Sequence, residues 1–180
     1  MIVCAGNSES FSFATSVGVG LVESASRLTQ ICLFDKPDFI LFVGSAGSYG
    51  KYDIFDIVES SHATQVELSL LEGNSYTPID NAIDSQNTVV QNTAIVNSSN
   101  YISTNADLGQ KMRSFEIELE NMEFFSILSI AKRFEIPAGG VFVVTNHTNE
   151  SAHQDFLANH EKAKQILTRY LADKKIIQKN

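Results

Sequence analysis

Three short apolar runs divide the chain, and each is followed by small or polar residues. Residues 1–5, 38–43 and 140–144 are apolar without alternation, which is the pattern of strands buried on both faces of a sheet. Glycine, serine, threonine or asparagine follows each run. The pattern predicts a buried sheet whose strands deliver polar side chains to their carboxyl ends.

Three longer segments carry helical signals. In residues 155–175, apolar side chains recur at helical spacing with charges between them. Residues 21–34 follow a glycine turn and stop before Pro37. Residues 121–134 stop before Pro137 and have Lys and Arg near their end, where cations complement the helix dipole. Strands and helices thus alternate, which is typical of an α/β domain.

Weaker patterns predict four further strands. Residues 11–19 mix aromatic and β-branched residues before the glycine turn, and residues 54–58 and 92–96 are short apolar segments. In residues 115–119, apolar side chains alternate with acidic ones at period two. Residues 73–84 are predicted to form a polar loop.

Composition restricts the number of domains and the class of partner. The length of 180 residues predicts one domain over residues 1–180. The 13 basic and 21 acidic side chains give a net charge of -8, which argues against nucleic acid or an anionic membrane as partner. The sequence shows no charged leader or bilayer-length apolar stretch, so we expect a cytoplasmic protein. Cysteines and histidines lack metal-ligand spacing, so no metal site is predicted.

Polar clusters follow four of the predicted strands, at residues 7–10, 44–47, 97–101 and 145–149. Glu123 lies at a further strand-to-helix junction. Because open α/β sheets bind ligands at the carboxyl ends of their strands, we expect these clusters to form a polar pocket for a small molecule. Ordinary loops of an α/β domain are the alternative interpretation.

Individual residues in these clusters suit more than one role. The carboxylate of Glu123 suits either a sugar diol or the N-terminus of a helix. Ser45, among small residues, suits a phosphate or ribose oxygen unless the segment is only a tight turn. Tyr101 offers a flat face to a base or anchors a loop. The serines around Glu9 suit an anion or a water molecule, or only hydrogen-bonded turns.

Taken together and in order, these segments resemble the nucleoside phosphorylase and nucleosidase superfamily. This superfamily includes purine nucleoside phosphorylases and methylthioadenosine/S-adenosylhomocysteine nucleosidases, and the similarity extends over nearly the whole chain. The resemblance implies a single α/β domain with a mixed sheet flanked by helices. The segments that carry the similarity are residues 17–20, 36–47, 55–58, 121–123 and 143–146.

The resemblance assigns roles to residues of the expected pocket. Glu123 would bind the ribose 2′- and 3′-hydroxyls and Asn146 would stabilise the departing purine, which makes them the predicted catalytic residues. No cofactor or metal is implied, and phosphate would be the co-substrate. Tyr101 would stack on the purine and Met122 would pack on the sugar. The predicted substrate contacts are Ser45, Gly44, Tyr101, Met122, Ala46 and Gly47, and the predicted phosphate contacts are Ser45, Ser8 and Gly6.

Departures from the family pattern bear on the predicted function. Asn146 stands where many members have a proton-donating aspartate, which favours a 6-oxopurine nucleoside such as inosine or guanosine. Phe42 replaces a phosphate-binding arginine, and the chain is short after its first strand. We predict a purine nucleoside phosphorylase of purine salvage, with a purine nucleosidase that uses water or a catalytically weak nucleoside-binding homologue as alternatives. We also expect a homo-oligomer, as a dimer, trimer or hexamer.

Overall fold

The computed structural model describes residues 1–86, 90–91 and 94–178. Within these residues the chain forms nine strands and five helices. The strands are β1 Ile2–Cys4, β2 Thr15–Ser16, β3 Ile40–Ser48, β4 Ile57–Ser60, β5 His62–Thr64, β6 Ala82–Asp84, β7 Ile95–Asn97, β8 Ile117–Glu120 and β9 Ala138–His147. The helices are α1 Leu21–Phe34, α2 Leu68–Leu71, α3 Ala106–Ser114, α4 Phe124–Arg133 and α5 Ala152–Asp173.

All of these strands belong to one mixed sheet, with β3 at its centre. One path through the sheet runs β2-β1-β3-β8-β7-β5-β6, while β9 pairs with β3 along its other edge and carries β4. The pairings of β3 with β1 and β9 are parallel, and its pairing with β8 is antiparallel. The predicted α/β class, with a mixed sheet flanked by helices, is confirmed.

One edge of β3 is shared by two strands that do not meet. Strand β1 pairs with Leu41 and Phe42, and β8 pairs with Gly47 and Ser48. In the described part of the chain, no strand pairs with this edge of β3 between Phe42 and Gly47. The sheet therefore splits open at its centre, next to Ser45.

Helices cover both faces of the sheet because alternate residues of β3 point in opposite directions. Ile40 and Phe42 belong to the core beneath α1 and α4, whereas Leu41 and Val43 pack with α5. On the first face Phe42, Phe124 and Phe142 form a cluster with ring centroids 5.0 to 6.1 Å apart. A Cβ atom at Gly140 would lie 2.7 Å from ring carbons of Phe124 and Phe142, so this position has no room for a side chain.

Two predicted loops belong to strands instead. Residues 44–47 were expected to leave the sheet after β3, but β3 continues to Ser48 because β9 pairs with it residue by residue. For the same reason β9 extends through residues 145–147. Backbone hydrogen bonding to a long parallel partner outweighs the loop preference of small and polar residues.

Several predicted boundaries were also wrong. The strand expected at residues 11–19 is reduced to β2, because most of that segment loops around the end of β1. The helix expected from Asn121 begins at Phe124, since the Asn121 side chain caps the helix instead of joining it. The polar loop at residues 73–84 ends in β6, which pairs with β5.

Most of the other predicted elements lie close to their expected places, whereas α2, α3 and β5 were not predicted. Strands β1, β4 and β8 and helices α1 and α5 fall within one to three residues of expectation. Of the strand predicted at residues 92–96, the structure shows β7, and residues 92–93 lie outside the described residues. Among the described residues, none of the helices combines the length and apolar character needed to cross a membrane.

Candidate functional site

A cavity of about 310 Å³ opens where the sheet splits. Its wall comes from the loop after β1, the middle of β3, the end of β8, the end of β9 and the start of α5. Nine predicted site residues line the cavity: Gly6, Ser8, Ser45, Ala46, Gly47, Tyr101, Met122, Glu123 and Asn146.

Gly44 is the predicted site residue that does not line the cavity. It is buried, and a Cβ atom there would lie 3.1 Å from the Phe42 ring. Gly44 therefore faces the aromatic cluster beneath α4, because β3 continues as a strand and alternates its faces. The substrate contact of Gly44 stays a prediction, although this residue does not line the cavity.

Side chains complete the hydrogen bonding of Ser45 where partner strands are missing. The Ser45 amide donates to Glu9 Oε1 at 2.7 Å, and the Ser45 carbonyl accepts from Asn121 Nδ2 at 3.1 Å. Because unpaired backbone groups are costly in a protein interior, these contacts stabilise the split. They also hold Glu9 and Asn121 at the cavity wall.

Glu123 places a nearly fully buried carboxyl group in the cavity, at 2 % exposure. Its Oε1 accepts from the backbone amide of Gly20, at the N-terminus of α1, at 2.8 Å. Burial, with a smaller contribution from the nearby Glu9 carboxylate, raises the pKa of Glu123 to about 7, while the hydrogen bond from the Gly20 amide opposes the rise. Glu123 therefore titrates near neutral pH and can accept hydrogen bonds when it is ionised.

Asn121 fixes the position of Glu123. Its Oδ1 accepts from the amides of Glu123 and Phe124, both at 2.9 Å, while its Nδ2 binds Ser45. The side chain thus caps α4 and joins it to β3. A carboxylate at this position would have no proton to donate to the Ser45 carbonyl.

Glu9 was named in the sequence only as part of a serine-rich turn, yet it is central to the cavity. A tight turn, in which the Glu9 amide donates to the Gly6 carbonyl, directs its side chain inward. Burial of the carboxyl group raises its pKa, opposed by hydrogen bonds from Ser45 and by the positive charges of His160 and Lys164.

Glu120 is a third carboxyl group on the cavity wall, and the sequence analysis missed it. Its Oε1 accepts from the Ser103 amide at 3.0 Å and its Oε2 from the Tyr49 hydroxyl at 3.1 Å. Burial raises the pKa of Glu120, and these two contacts oppose the rise. The acidic alternation in β8 was the available signal, since it put Glu118 and Glu120 on one face.

A bulge in β9 turns Asn146 toward the cavity. The pairing of β3 with β9 shifts between Ala46 and Gly47, so Asn146 lies opposite Gly47 instead of Thr145. Asn146 Oδ1 accepts from the Thr145 hydroxyl at 2.9 Å, and its Nδ2 lies 3.3 Å from the His147 carbonyl oxygen. Gly47 leaves the space in front of this amide open.

Tyr101 and Ile102 form an apolar part of the cavity mouth. Tyr101 is 83 % exposed, and Ile102 lies beside it along the rim. Met122 contributes to the wall between this rim and Glu123. The stacking of Tyr101 on a purine stays a prediction, which its position at the mouth permits.

Acidic groups dominate the charge of the cavity. Glu9, Glu120 and Glu123 line it, and none of its described lining residues is lysine or arginine. In the part of the chain that the structure describes, no three His, Cys, Asp or Glu side chains are grouped as metal ligands would be. The cavity suits a neutral ligand rich in hydroxyl and N–H donors more than an anion.

Comparison with known families identifies the superfamily of this chain. Residues 8–173 match the family described as the phosphorylase superfamily. The chain belongs to the phosphorylase superfamily. The match includes Glu9, strands β3 and β8 at the split in the sheet, and the whole of α5. A search of the curated proteins by sequence finds no match.

Solved structures share the fold of this superfamily member at low identity. The match to a futalosine hydrolase mutant from Helicobacter pylori covers 96% of this chain and 96% of the other, with 17% identity and a TM-score of 0.81. The match to 5′-methylthioadenosine/S-adenosylhomocysteine nucleosidase from Helicobacter pylori covers 96% of this chain and 95% of the other, with 16% identity and a TM-score of 0.80. The match to the MTA/SAH nucleosidase from Streptococcus pneumoniae covers 94% of this chain and 95% of the other, with 15% identity and a TM-score of 0.77.

Proposed function

We propose that this protein hydrolyses the N-glycosidic bond of purine nucleosides, with water as the nucleophile. The observation that carries the proposal is the position of Glu9, whose carboxylate accepts from the Ser45 amide inside the cavity. The sequence predicts that Ser45 contacts phosphate or the water that replaces it. A carboxylate there suits a water molecule, because it can accept the proton that water releases on attack.

The charges of the cavity favour water over phosphate. Like charges about 4 Å apart near a protein surface repel by about 4 kcal/mol. A phosphate at Ser45 would meet the carboxyl groups of Glu9 and Glu123, and no lysine or arginine among the described lining residues would offset the repulsion. The missing arginine at Phe42 is consistent with this preference.

Glu123 is assigned to the sugar. Its buried carboxylate accepts hydrogen bonds from the ribose 2′- and 3′-hydroxyls, and Met122 packs against the ring. As the bond to the base breaks, the sugar carbon C1′ gains positive charge. A fixed, buried carboxylate that binds the neighbouring hydroxyls stabilises that charge more than it stabilises the ground state.

Glu9 and Asn146 act on either side of the bond that breaks. The water oxygen forms a bond to C1′ while its proton passes to the Glu9 carboxylate. The bond from C1′ to the base nitrogen breaks, and its electron pair leaves with the base. The Asn146 amide hydrogen-bonds the departing base, and its acceptor and donor together suit a 6-oxopurine.

Phosphorolysis of 6-oxopurine nucleosides is the second candidate, because one cation lies just outside the lining. Lys164 Nζ donates to the Ser8 carbonyl at 3.1 Å, beside the predicted phosphate contacts Ser45, Ser8 and Gly6. Phosphate as co-substrate, a role in purine salvage, assembly as a homo-oligomer and a cytoplasmic location all stay predictions.

The proposal is tested by comparing the wild-type protein with a Glu9→Gln variant. Inosine, guanosine, adenosine, 5′-methylthioadenosine and futalosine serve as substrates, the last two because structural neighbours carry their names. Release of free base without phosphate is expected, with a preference for inosine and guanosine. Loss of the base catalyst lowers kcat by about 10²- to 10⁴-fold.

A matched control is Glu118→Gln. Glu118 lies on β8, outside the cavity lining, and contacts Lys51 and Tyr52. This variant should hydrolyse nucleosides at the wild-type rate. If Glu9→Gln were as active as Glu118→Gln, Glu9 would not be the base. A nucleoside that binds to the wild-type protein without cleavage would favour the non-catalytic alternative.

A further inference from the structure

The departing base needs a proton as well as a hydrogen bond. When the bond from C1′ breaks, the base nitrogen keeps the electron pair, and protonation of the base removes the resulting negative charge. Asn146, the residue assigned to the base, has an amide that is not an acid at any ordinary pH. An acidic group at the same end of the cavity would supply that proton.

Three carboxyl groups line the cavity, and two of them accept from backbone amides of other parts of its wall. Glu9 is bound to the Ser45 amide, and Glu123 is bound to the Gly20 amide at the N-terminus of α1. Glu9 is assigned to the water, and Glu123 to the sugar. This leaves Glu120 as the carboxyl group of the lining without a role.

Glu120 and Asn146 lie on either side of the same small space. A Cβ atom at Gly47 would be 3.1 Å from Asn146 Nδ2 and 3.3 Å from Glu120 Oε1. Strand β8 places Glu120 opposite Gly47 on one edge of β3, and β9 places Asn146 opposite Gly47 on the other. A base that reaches Asn146 over Gly47 is within reach of Glu120 as well.

We propose that Glu120 is the proton donor to the departing base in the nucleoside hydrolysis proposed above. The proton passes from the Glu120 carboxyl group to a nitrogen of the base as the bond to C1′ breaks. The proton of the attacking water passes to Glu9. Glu120 ends ionised and Glu9 ends protonated, and exchange with solvent restores both. The inference depends on the proposed function.

The surroundings of Glu120 suit this role. The Glu120 carboxyl oxygens accept from Ser103 and from the Tyr49 hydroxyl, and a carboxyl group offers further lone pairs for a proton or a ligand. Burial raises the pKa of Glu120, so its protonated form persists closer to neutral pH. The other titratable or polar groups of the surrounding elements are Asn146 on β9, Asn97 on β7, His153 on α5, and Glu9 and Glu123 across the cavity.

The test compares two leaving groups in wild-type and Glu120→Gln proteins. Inosine needs protonation of its base, whereas 4-nitrophenyl β-D-riboside releases a stable anion that needs no acid. The variant should lose about 10²- to 10⁴-fold in kcat/KM for inosine and change less than about threefold for the nitrophenyl riboside. The fall of inosine hydrolysis at alkaline pH, expected for the wild type, should disappear in the variant.

The nitrophenyl substrate also reports that the variant folds and binds ribose, and Glu118→Gln is the matched control on the same strand. Equal losses for both substrates would make Glu120 a positioning residue and overturn the proposal. Unchanged inosine hydrolysis would also overturn it. If Glu120→Gln and Glu118→Gln cleave both substrates at the wild-type rate while Glu9→Gln does not, the proposed hydrolysis stands and only the role of Glu120 is rejected. A wild-type protein that cleaves neither substrate would reject the proposed function and this inference together.

Discussion

Replacing Glu123 by glutamine should stabilise the fold at alkaline pH while it removes activity. Burial holds the pKa of Glu123 at about 7, against an ordinary value of 4.5 in the unfolded chain. The folded state therefore binds the proton more tightly than the unfolded state does. Stability from this group is present at low pH and is lost as pH rises from about 4.5 to about 7.

The size of the effect follows from the two pKa values. At 1.36 kcal/mol per pH unit, the difference between about 7 and 4.5 corresponds to about 3 kcal/mol. A glutamine at position 123 carries no charge at any pH, and its amide oxygen still accepts from the Gly20 amide. The variant and the wild type should be similarly stable at acid pH, and the variant should be more stable by about 3 kcal/mol at pH above 7.

Urea denaturation at acid and alkaline pH measures this difference directly. At alkaline pH the variant should also melt about 6–12 °C higher, given 2–4 °C per kcal/mol for a chain of this size. Its kcat/KM should fall at least about 100-fold, since charge-assisted hydrogen bonds to the ribose diol are worth ~1.5–3 kcal/mol each. Glu118→Gln reports the effect of losing a carboxylate outside the cavity. The same stability difference at both pH values would refute the reasoning.

Two further predictions concern the framework of the site. Asn121→Ala should lower the free energy of unfolding by about 2–4 kcal/mol, because it removes the cap of α4 and the contact with the Ser45 carbonyl. Asn121→Asp keeps the cap acceptor and should lose less stability. Equal losses for the two variants in urea denaturation would contradict this. Gly140→Ala should destabilise by ~1–3 kcal/mol, because the new methyl group would lie 2.7 Å from two phenylalanine rings; an unchanged melting temperature would show that the aromatic cluster yields without cost.

The sequence predicted the residues of the site better than their surroundings. Ser45 and Asn146 lie in the C-terminal parts of β3 and β9, and Glu123 directly precedes α4, so the local pattern was enough to place all three at one end of the sheet. Their proposed roles came from the family resemblance. Only the long-range pairing of β3 with β1 and β8 shows that the sheet splits beside them.

Glu9 and Glu120 show why part of the site could not be predicted. Glu9 enters the cavity because a gap in the sheet leaves the Ser45 amide without a partner strand. Glu120 reaches the cavity because β8 pairs antiparallel at the last two residues of β3. Both facts depend on pairings between segments 36 or more residues apart, which local periodicity does not encode.

The most direct test of the account is the identity of the sugar released from inosine when phosphate is in excess. The account predicts free ribose with hypoxanthine, at a rate that does not depend on phosphate, because the Glu9 carboxylate occupies the Ser45 amide and prepares water for attack. Ribose 1-phosphate as the main product, with no cleavage when phosphate is absent, would contradict this account and establish a phosphorylase.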